Sequence, residues 1–326
     1  MTAPAKLPPY FALLSYNVYG KTFERDLAIA ECFALANATS VLDERLMGLQ
    51  SPISIRHAAF VSTLAEMVAA APTLEELCSQ IASRRVSATD FKIIVKKMPP
   101  AVPRVAAAPL LQATVARHIG GKPRLDAPTD RLLLAVTGRG FWLGRIIEES
   151  EDRWRLHRVR PMPYMRALPT RVARAMLNLV ARPGDRVVDP CCGAGTFLIE
   201  AADMGIHAEG FDIAPKMVSA SNINLQHFGR APVARLGDAR TLTGRWDAVV
   251  TDPPYGHIRD YADVKDAPDI LRNLLSLAPR IAVVTPNPTE PLLVGQDAAR
   301  PLSVRTIPLP VSRSLTRYIH VVRRSA

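Results

Sequence analysis

Arg186-Val187-Val188-Asp189-Pro190-Cys191-Cys192-Gly193-Ala194-Gly195-Thr196 constrains this 326-residue chain more than any other stretch. An apolar run ends in an acid, breaks into Gly-x-Gly, and gives way at Phe197 to apolar residues at helical spacing. That order specifies a strand, a tight turn and a helix start, and a turn without side chains lets a ligand come close to the backbone. A dinucleotide fingerprint needs a third glycine three residues after Gly195, where the chain has Leu198, and no Gly-x-x-x-x-Gly-Lys-Ser/Thr occurs. Phosphate cradling is therefore disfavoured. An acid four residues ahead of Gly193 suits a ligand that carries positive charge.

S-adenosylmethionine, with an ammonium and a sulfonium, is such a ligand. Two further acids fit it. Asp212 closes the run Ala208-Glu209-Gly210-Phe211-Asp212-Ile213, 17 residues after Gly195, and an acid there can accept both hydroxyls of a ribose. Asp238, in Gly237-Asp238-Ala239, follows a third run and can accept from an adenine amine. Each acid alone reads as a helix cap or turn residue; in this order and spacing they describe one nucleoside pocket along the carboxyl edge of a sheet.

A fourth run, Trp246 to Thr251, leads into Asp252-Pro253-Pro254-Tyr255-Gly256. An exocyclic amine on a purine is a poor nucleophile because its lone pair is delocalised into the ring, so a site that methylates it must hold the nitrogen with acceptors. Asp252 supplies a carboxylate and Pro253 a carbonyl, while Pro253 and Pro254 lack N–H groups and hold φ near one value. Tyr255 can stack on a base drawn out of its helix, a contact worth roughly 1–3 kcal/mol in single-strand binders.

From about Arg160 to Arg323 the sequence resembles class I S-adenosylmethionine-dependent methyltransferases that act on exocyclic amines. Pro169-Thr170-Arg171-Val172-Ala173-Arg174, the Asp-Pro-x-Cys-Gly-x-Gly-Thr loop, Asp-Pro-Pro-Tyr-Gly and Ser314-Leu315-Thr316-Arg317 are similar, more narrowly, to the tRNA guanosine-N2 methyltransferases that carry a THUMP domain, the archaeal-type guanosine-10 enzymes above all. Cys191 stands where that group commonly has an aromatic residue. The resemblance implies a Rossmann-like α/β domain with a seven-stranded, mostly parallel sheet. Its candidate cofactor contacts are Thr170, Asp189, Cys191, Gly193, Gly195, Thr196, Asp212, Ile213, Asp238 and Ala239, and its candidate catalytic residues are Asp252, Pro253, Pro254 and Tyr255. Thr170 also reads as the cap of a helix starting at Arg171.

Charge is unevenly spread. The net +11 conceals −3 over residues 1–83 and +13 over residues 84–182, and residues 300–326 add 6 arginines without an acid. A basic excess around a base-modifying site points to nucleic acid as partner. Phe91 to Lys97 reads as a strand, Leu110 to Ile119 as a helix, and Leu132–Val136 with Phe141–Ile147 as a strand pair. This pattern resembles a THUMP core, an RNA-binding α+β module, with Lys96, Lys97, Arg117, Lys122 and Arg139 as its phosphate-facing candidates. Upstream, Tyr10 to Ser15 reads as a strand, Phe23 to Leu35 as a helix, and Thr73 to Glu76 as a capping box.

The expected organisation is an α+β, ferredoxin-like module over 1–59, a THUMP-type domain over 60–150, a linker over 151–165 and a methyltransferase domain over 166–326. Ile258 to Asp269 is polar and is expected to form a lid. Apolar stretches fall short of 18 residues and no signal-peptide pattern opens the chain, so a cytoplasmic protein is expected. The four cysteines suggest neither disulfides nor zinc. The reading is a monomeric enzyme that transfers a methyl group from S-adenosylmethionine to the exocyclic N2 amine of a guanosine in tRNA, guanosine 10 with guanosine 6 as the other position, without metal or membrane. Two alternatives remain: an rRNA or DNA amino methyltransferase working on adenine N6 or guanine N2, and a non-catalytic RNA-binding protein with the same fold.

Overall fold

The computed structural model describes residues 7–16, 23–36, 39–98, 106–254, 267–286, 302–310 and 316–324. The chain divides into two compact units. One comprises Met1–Val18, Leu35–Arg56 and Phe60–Glu151; the other comprises Tyr19–Ala34, His57–Ala59 and Asp152–Ala326.

In chain order the first half contains β1 (Tyr10–Leu14), α1 (Phe23–Leu35), β2 (Thr39–Asp43), β3 (Leu46–Leu49), β4 (Val61–Ala71), α2 (Leu74–Ser83), β5 (Ser87–Lys97), α3 (Ala108–Ala116), β6 (Gly120–Pro123), β7 (Asp130–Thr137) and β8 (Gly140–Glu149). Among the described residues these eight strands form one sheet, ordered β2-β3-β1-β4-β8-β7-β5-β6. Period-2 alternation divides its two faces. Phe91, Ile93, Leu132, Leu134 and Val136 pack under α2 and α3 through Leu77, Ile81, Leu111 and Val115, while Leu133 and Ala135 face Phe11, Leu13 and Leu46. The Thr73 hydroxyl caps α2 by accepting from the Glu76 N–H at 3.2 Å, as the capping box requires. Strands from both sides of residue 60 share the sheet, β1 pairing with β4. The expected boundary between a 1–59 module and a 60–150 domain is therefore no break in the fold.

The second unit takes α1, except its last residue, then a short 3-10 helix at Arg153–Arg158, α4 (Thr170–Val180), β9 (Arg186–Asp189), α5 (Thr196–Asp203), β10 (His207–Asp212), α6 (Pro215–His227), β11 (Ala234–Leu236), β12 (Ala248–Thr251), α7 (Ala267–Leu277), β13 (Arg280–Thr285), β14 (Leu302–Pro310) and β15 (Thr316–Arg324). Its sheet runs β11-β10-β9-β12-β13-β15-β14. β9 to β13 are parallel, and β15 is antiparallel to both its neighbours. This is the seven-stranded class I methyltransferase fold, with the one reversed strand expected near the edge. Helices on both faces bury the central strands twice over, which is why they read as unbroken apolar runs. Val188, Val249, Ile281 and Val283 meet α7 at Leu271 and Leu274; Cys192, Leu198, Ile199 and Leu225 form the core on the side of α5 and α6.

The segment 151–165, expected to be a linker, belongs in part to this unit. Trp154 and His157 are buried. His157 Nδ1 lies 2.8 Å from Glu200 Oε1 on α5, and Arg153 Nε donates to Asp203 Oδ1 at 2.7 Å. Arg174, wholly buried on α4, donates to the same two acids at 2.6 and 2.5 Å. A charge as deep as that of Arg174 persists only when paired, so this arginine is structural.

Candidate active site

The glycine turn forms as the sequence demands. β9 ends at Asp189, and α5 begins at Thr196 behind Gly195, whose φ of 81° lies in the left-handed region. A Cβ there would come within 2.4 Å of the Ser221 hydroxyl on α6. The close packing that a third glycine would give is supplied from the strand side: a Cβ on Gly210 of β10 would stand 2.4 Å from Leu198 Cδ1. Leu198 is accommodated because its neighbour has no side chain.

The acids expected at successive strand ends converge. Asp189 is buried; its Oδ1 accepts from the Thr251 hydroxyl at 2.8 Å and from the Cys191 N–H at 3.1 Å. Asp212 accepts from the Gly193 N–H through Oδ2 and from the Ala214 N–H through Oδ1, both at 2.9 Å, so the acid of β10 also fixes the turn after β9. Asp238 is gripped by its near neighbour Arg240, whose Nη2 donates at 2.6 Å and whose Nε lies 2.9 and 3.0 Å from the two oxygens. A small cleft lies among Pro190, Asp212, Ile213, Asp238, Ala239 and Pro254, with Cys191 and Arg240 also in its wall. Asp252 follows β12, and its Oδ2 accepts from Arg317 Nη1 at 2.9 Å.

Burial shapes the electrostatics. It pushes the Asp189 carboxyl up to about 8, against the opposing Thr251 and Cys191 hydrogen bonds, and Asp212 and Asp252 raise it further. Burial also raises Asp212, offset in part by the two amide donors, and lifts Asp252 to about 6 in spite of Arg317. Asp238 goes the other way, held low chiefly by the Arg240 hydrogen bonds. Desolvated carboxylates crowded around a glycine turn are relieved by a cation. The donor set therefore fits the ammonium and sulfonium of S-adenosylmethionine.

Not every expected residue takes its expected place. Asp189, Cys191, Gly193, Gly195, Asp212, Ile213, Asp238, Ala239, Asp252, Pro253 and Pro254 gather at the carboxyl edge. Tyr255 lies outside the described residues, as does most of the expected lid, Ile258 to Asp269. Thr170 does not cap α4: it is the first helical residue, and its buried hydroxyl donates to the Trp154 carbonyl at 2.9 Å, which removes it from the cleft wall. Thr196 accepts from Arg160 Nη1 at 2.9 Å. Arg160, Arg240, Thr251 and Arg317 were missed as site residues, although Arg317 sits in the Ser314-Leu315-Thr316-Arg317 stretch.

In the first unit the five basic candidates do not form one patch. Lys96 and Lys97 end β5, and Arg139 sits in the turn at the same end of β7. Lys122 pairs with Asp90 toward the opposite end of β5, and Arg117 ends α3 just before β6. Lys97 Nζ donates to the Ala106 carbonyl at 2.6 Å and Arg139 Nη1 to the Leu42 carbonyl at 3.2 Å, while all five side chains remain exposed.

Several known proteins are similar to this chain. A family model described as an RMKL-like methyltransferase domain matches residues 157–267. The chain is 30% identical over 284 residues to a tRNA (guanine(10)-N2)-dimethyltransferase of Methanothermobacter thermautotrophicus, covering 82% of this chain and 83% of that one. It is 32% identical over 218 residues to the protein of the same name from Pyrococcus abyssi, covering 62% and 64%. Among solved structures, the crystal structure of TrmN from Thermus thermophilus aligns over 97% of this chain and 99% of that chain, with 19% identity and a TM-score of 0.49. With sequence identity maintained over most of both chains of the first pair, this chain belongs to the tRNA (guanine(10)-N2)-dimethyltransferase family.

Proposed function

We propose that this protein methylates the exocyclic N2 amine of a guanosine in tRNA, at nucleotide 10, using S-adenosylmethionine. The observation that carries the reading is the adjacency of two features at one sheet edge: a cleft walled by Asp212 and Asp238 beside the buried Asp189, and the Asp252-Pro253-Pro254 turn that closes it through Pro254. The names of the curated relatives support tRNA as substrate, position 10 as target and two successive methyl transfers.

Bound in the cleft, S-adenosylmethionine supplies an electrophilic methyl group on a sulfonium. Asp189 and Asp212 would hold its positive and ribose ends, with Asp238 toward its base. Asp252 and the Pro253 carbonyl accept from the amine and so direct its lone pair away from the ring. The prolines offer no competing N–H donor. Most of the rate then comes from alignment, which can lower a barrier by about 7–11 kcal/mol. The basic side chains of the first unit bind tRNA through its phosphates, in the manner of a THUMP-type module. If the target is paired in a stem, its extrusion costs a few kcal/mol, which those phosphate contacts offset.

The test is nucleoside mass spectrometry of unmodified tRNA treated with the protein and labelled cofactor. N2-methyl- and N2,N2-dimethylguanosine mapping to nucleotide 10 are expected. Label in adenosine, in rRNA or DNA alone, or in no nucleic acid would overturn the proposal.

A further inference from the structure

We infer that Arg317 is the residue by which this site selects guanine, an inference that rests on the substrate reading just given. β15 is the reversed strand, so its first residues arrive at the edge where the parallel strands end. Thr285, the last residue of β13, pairs with Tyr318, and Thr251, the last of β12, pairs with Val283. A strand running with the others would bring its first residues to the opposite edge. Reversal is what puts a guanidinium beside the acid of the Asp-Pro-Pro turn.

The contact is one-sided. Arg317 Nη1 meets Asp252 Oδ2 at 2.9 Å, with the side chains 25% and 18% exposed. Among the described residues neither Asp252 Oδ1 nor the Nε and Nη2 of Arg317 has a hydrogen-bond partner. A surface ion pair held only for stability would contribute little. This one leaves hydrogen-bonding capacity unused beside the Asp-Pro-Pro turn: acceptor at Oδ1, remaining acceptor capacity at Oδ2, then donors on the guanidinium.

An extruded base is read on its Watson–Crick edge. Guanine presents, in order, the N2 donor, the N1 donor and the O6 acceptor, which complements acceptor, acceptor, donor. Adenine and cytosine, placed with their amines against Oδ1, would set a ring-nitrogen lone pair against Oδ2. The same carboxylate that holds the amine would therefore repel the wrong base, and Arg317 would anchor the right one through O6. An arginine suits this because its fork can hold a carboxylate with one nitrogen and donate onward with another.

The experiment compares tRNA carrying guanosine at the target with tRNA carrying 2-aminopurine riboside there, which keeps the amine but has no O6 and bears a lone pair at N1. On guanosine RNA, Arg317→Ala should lower kcat/KM about 10- to 100-fold, the range expected for a specific base contact. On 2-aminopurine RNA, with both RNAs assayed well above the pH at which Asp252 takes up a proton in either protein, it should lower it by no more than about threefold, so that the wild-type preference for guanosine shrinks. Arg317→Lys, which retains a donor but not the fork, should recover part of the guanosine rate. Affinity for S-adenosylmethionine, measured by calorimetry, should be unchanged in both variants, which reports that the fold and the cofactor cleft are intact. Equal losses on the two RNAs, or no loss on guanosine RNA, would overturn the inference alone. Failure of the wild-type protein to methylate guanosine RNA at all would instead overturn the substrate reading beneath it.

Discussion

Replacing Asp189 by Asn should make the ligand-free protein more stable at neutral pH while weakening its hold on the cofactor. Asp189 is buried and its carboxyl is pushed from its ordinary value of 3.8 to about 8. For an acid whose folded value is raised, the folded state keeps a proton that the unfolded chain gives up. The cost of ionisation is therefore absent below about pH 4, grows as pH rises, and is complete above about pH 8. A rise of that size corresponds to roughly 5–6 kcal/mol, and at pH 7 about 4 kcal/mol of that is already felt. Asn keeps an oxygen for Thr251 and the Cys191 N–H, but its Nδ2 brings an unpartnered donor that returns about 1 kcal/mol at every pH. The net gain at pH 7 is about 3 kcal/mol, or on the order of 10 °C in Tm for a unit of this size. Thermal unfolding of both proteins without cofactor, from about pH 4 to about pH 9, should show curves that begin close together and diverge. An advantage that is flat with pH, or that shrinks as pH rises, would refute the reasoning. Calorimetry on the same samples should show weaker S-adenosylmethionine binding by the Asn variant.

Other outcomes follow from the site. Asp252→Ala should abolish methyl transfer with tRNA affinity nearly unchanged, since binding is assigned to phosphates elsewhere; filter binding showing a large loss of affinity would contradict that division. Turnover should fall as pH drops through about 6, where Asp252 takes up a proton; with Arg317→Gln that acidic limb should move upward, because Arg317 is what opposes the effect of burial, while Asp189 close by, raised to about 8, is itself neutral in that range. Arg174→Met would leave the buried Glu200 and Asp203 without their main partner and should destabilise the protein by about 3–5 kcal/mol in urea unfolding. The affinity for tRNA should decline steeply with salt, with a log–log slope of about −0.7 to −0.9 per phosphate contacted, and a flat response would undercut the role given to the basic residues between 84 and 182.

Local chemistry was legible in the sequence wherever the deciding residues are neighbours in the chain. The Asp189 to Thr196 turn, the Asp at the end of β10 and the Asp-Pro-Pro turn each carry their own backbone logic, and the alternation of strands and helices reads as a mostly parallel sheet. Legibility failed where partners are distant. Arg317 meets an acid 65 residues away because one strand reverses. Arg160 reaches Thr196 across 36 residues from a stretch that looks like a polar connection. Arg153 and Arg174 look like contributors to a phosphate-binding surface in a charge count, yet they close a buried network on Glu200 and Asp203. Thr170 has the composition of a helix cap, but the Trp154 carbonyl claims its hydroxyl. Charge totals also could not reveal that Lys96 and Lys122 stand toward opposite ends of β5.

The assignment of α1 to the second unit bears on how this protein can be dissected. Asn178 on α4 donates to Glu31 of α1 at 2.7 Å and to the His57 carbonyl at 3.1 Å, and Arg171 Nε donates to the Ala59 carbonyl at 3.0 Å. A protein truncated to residues 152–326 would retain every residue assigned to methyl transfer yet strip these donors of their acceptors, at about 1–3 kcal/mol for each buried group left bare. Such a fragment would fail for want of a helix encoded more than a hundred residues upstream. Inactivity in it would report lost scaffolding, and separating recognition from chemistry calls for point substitutions in the intact chain.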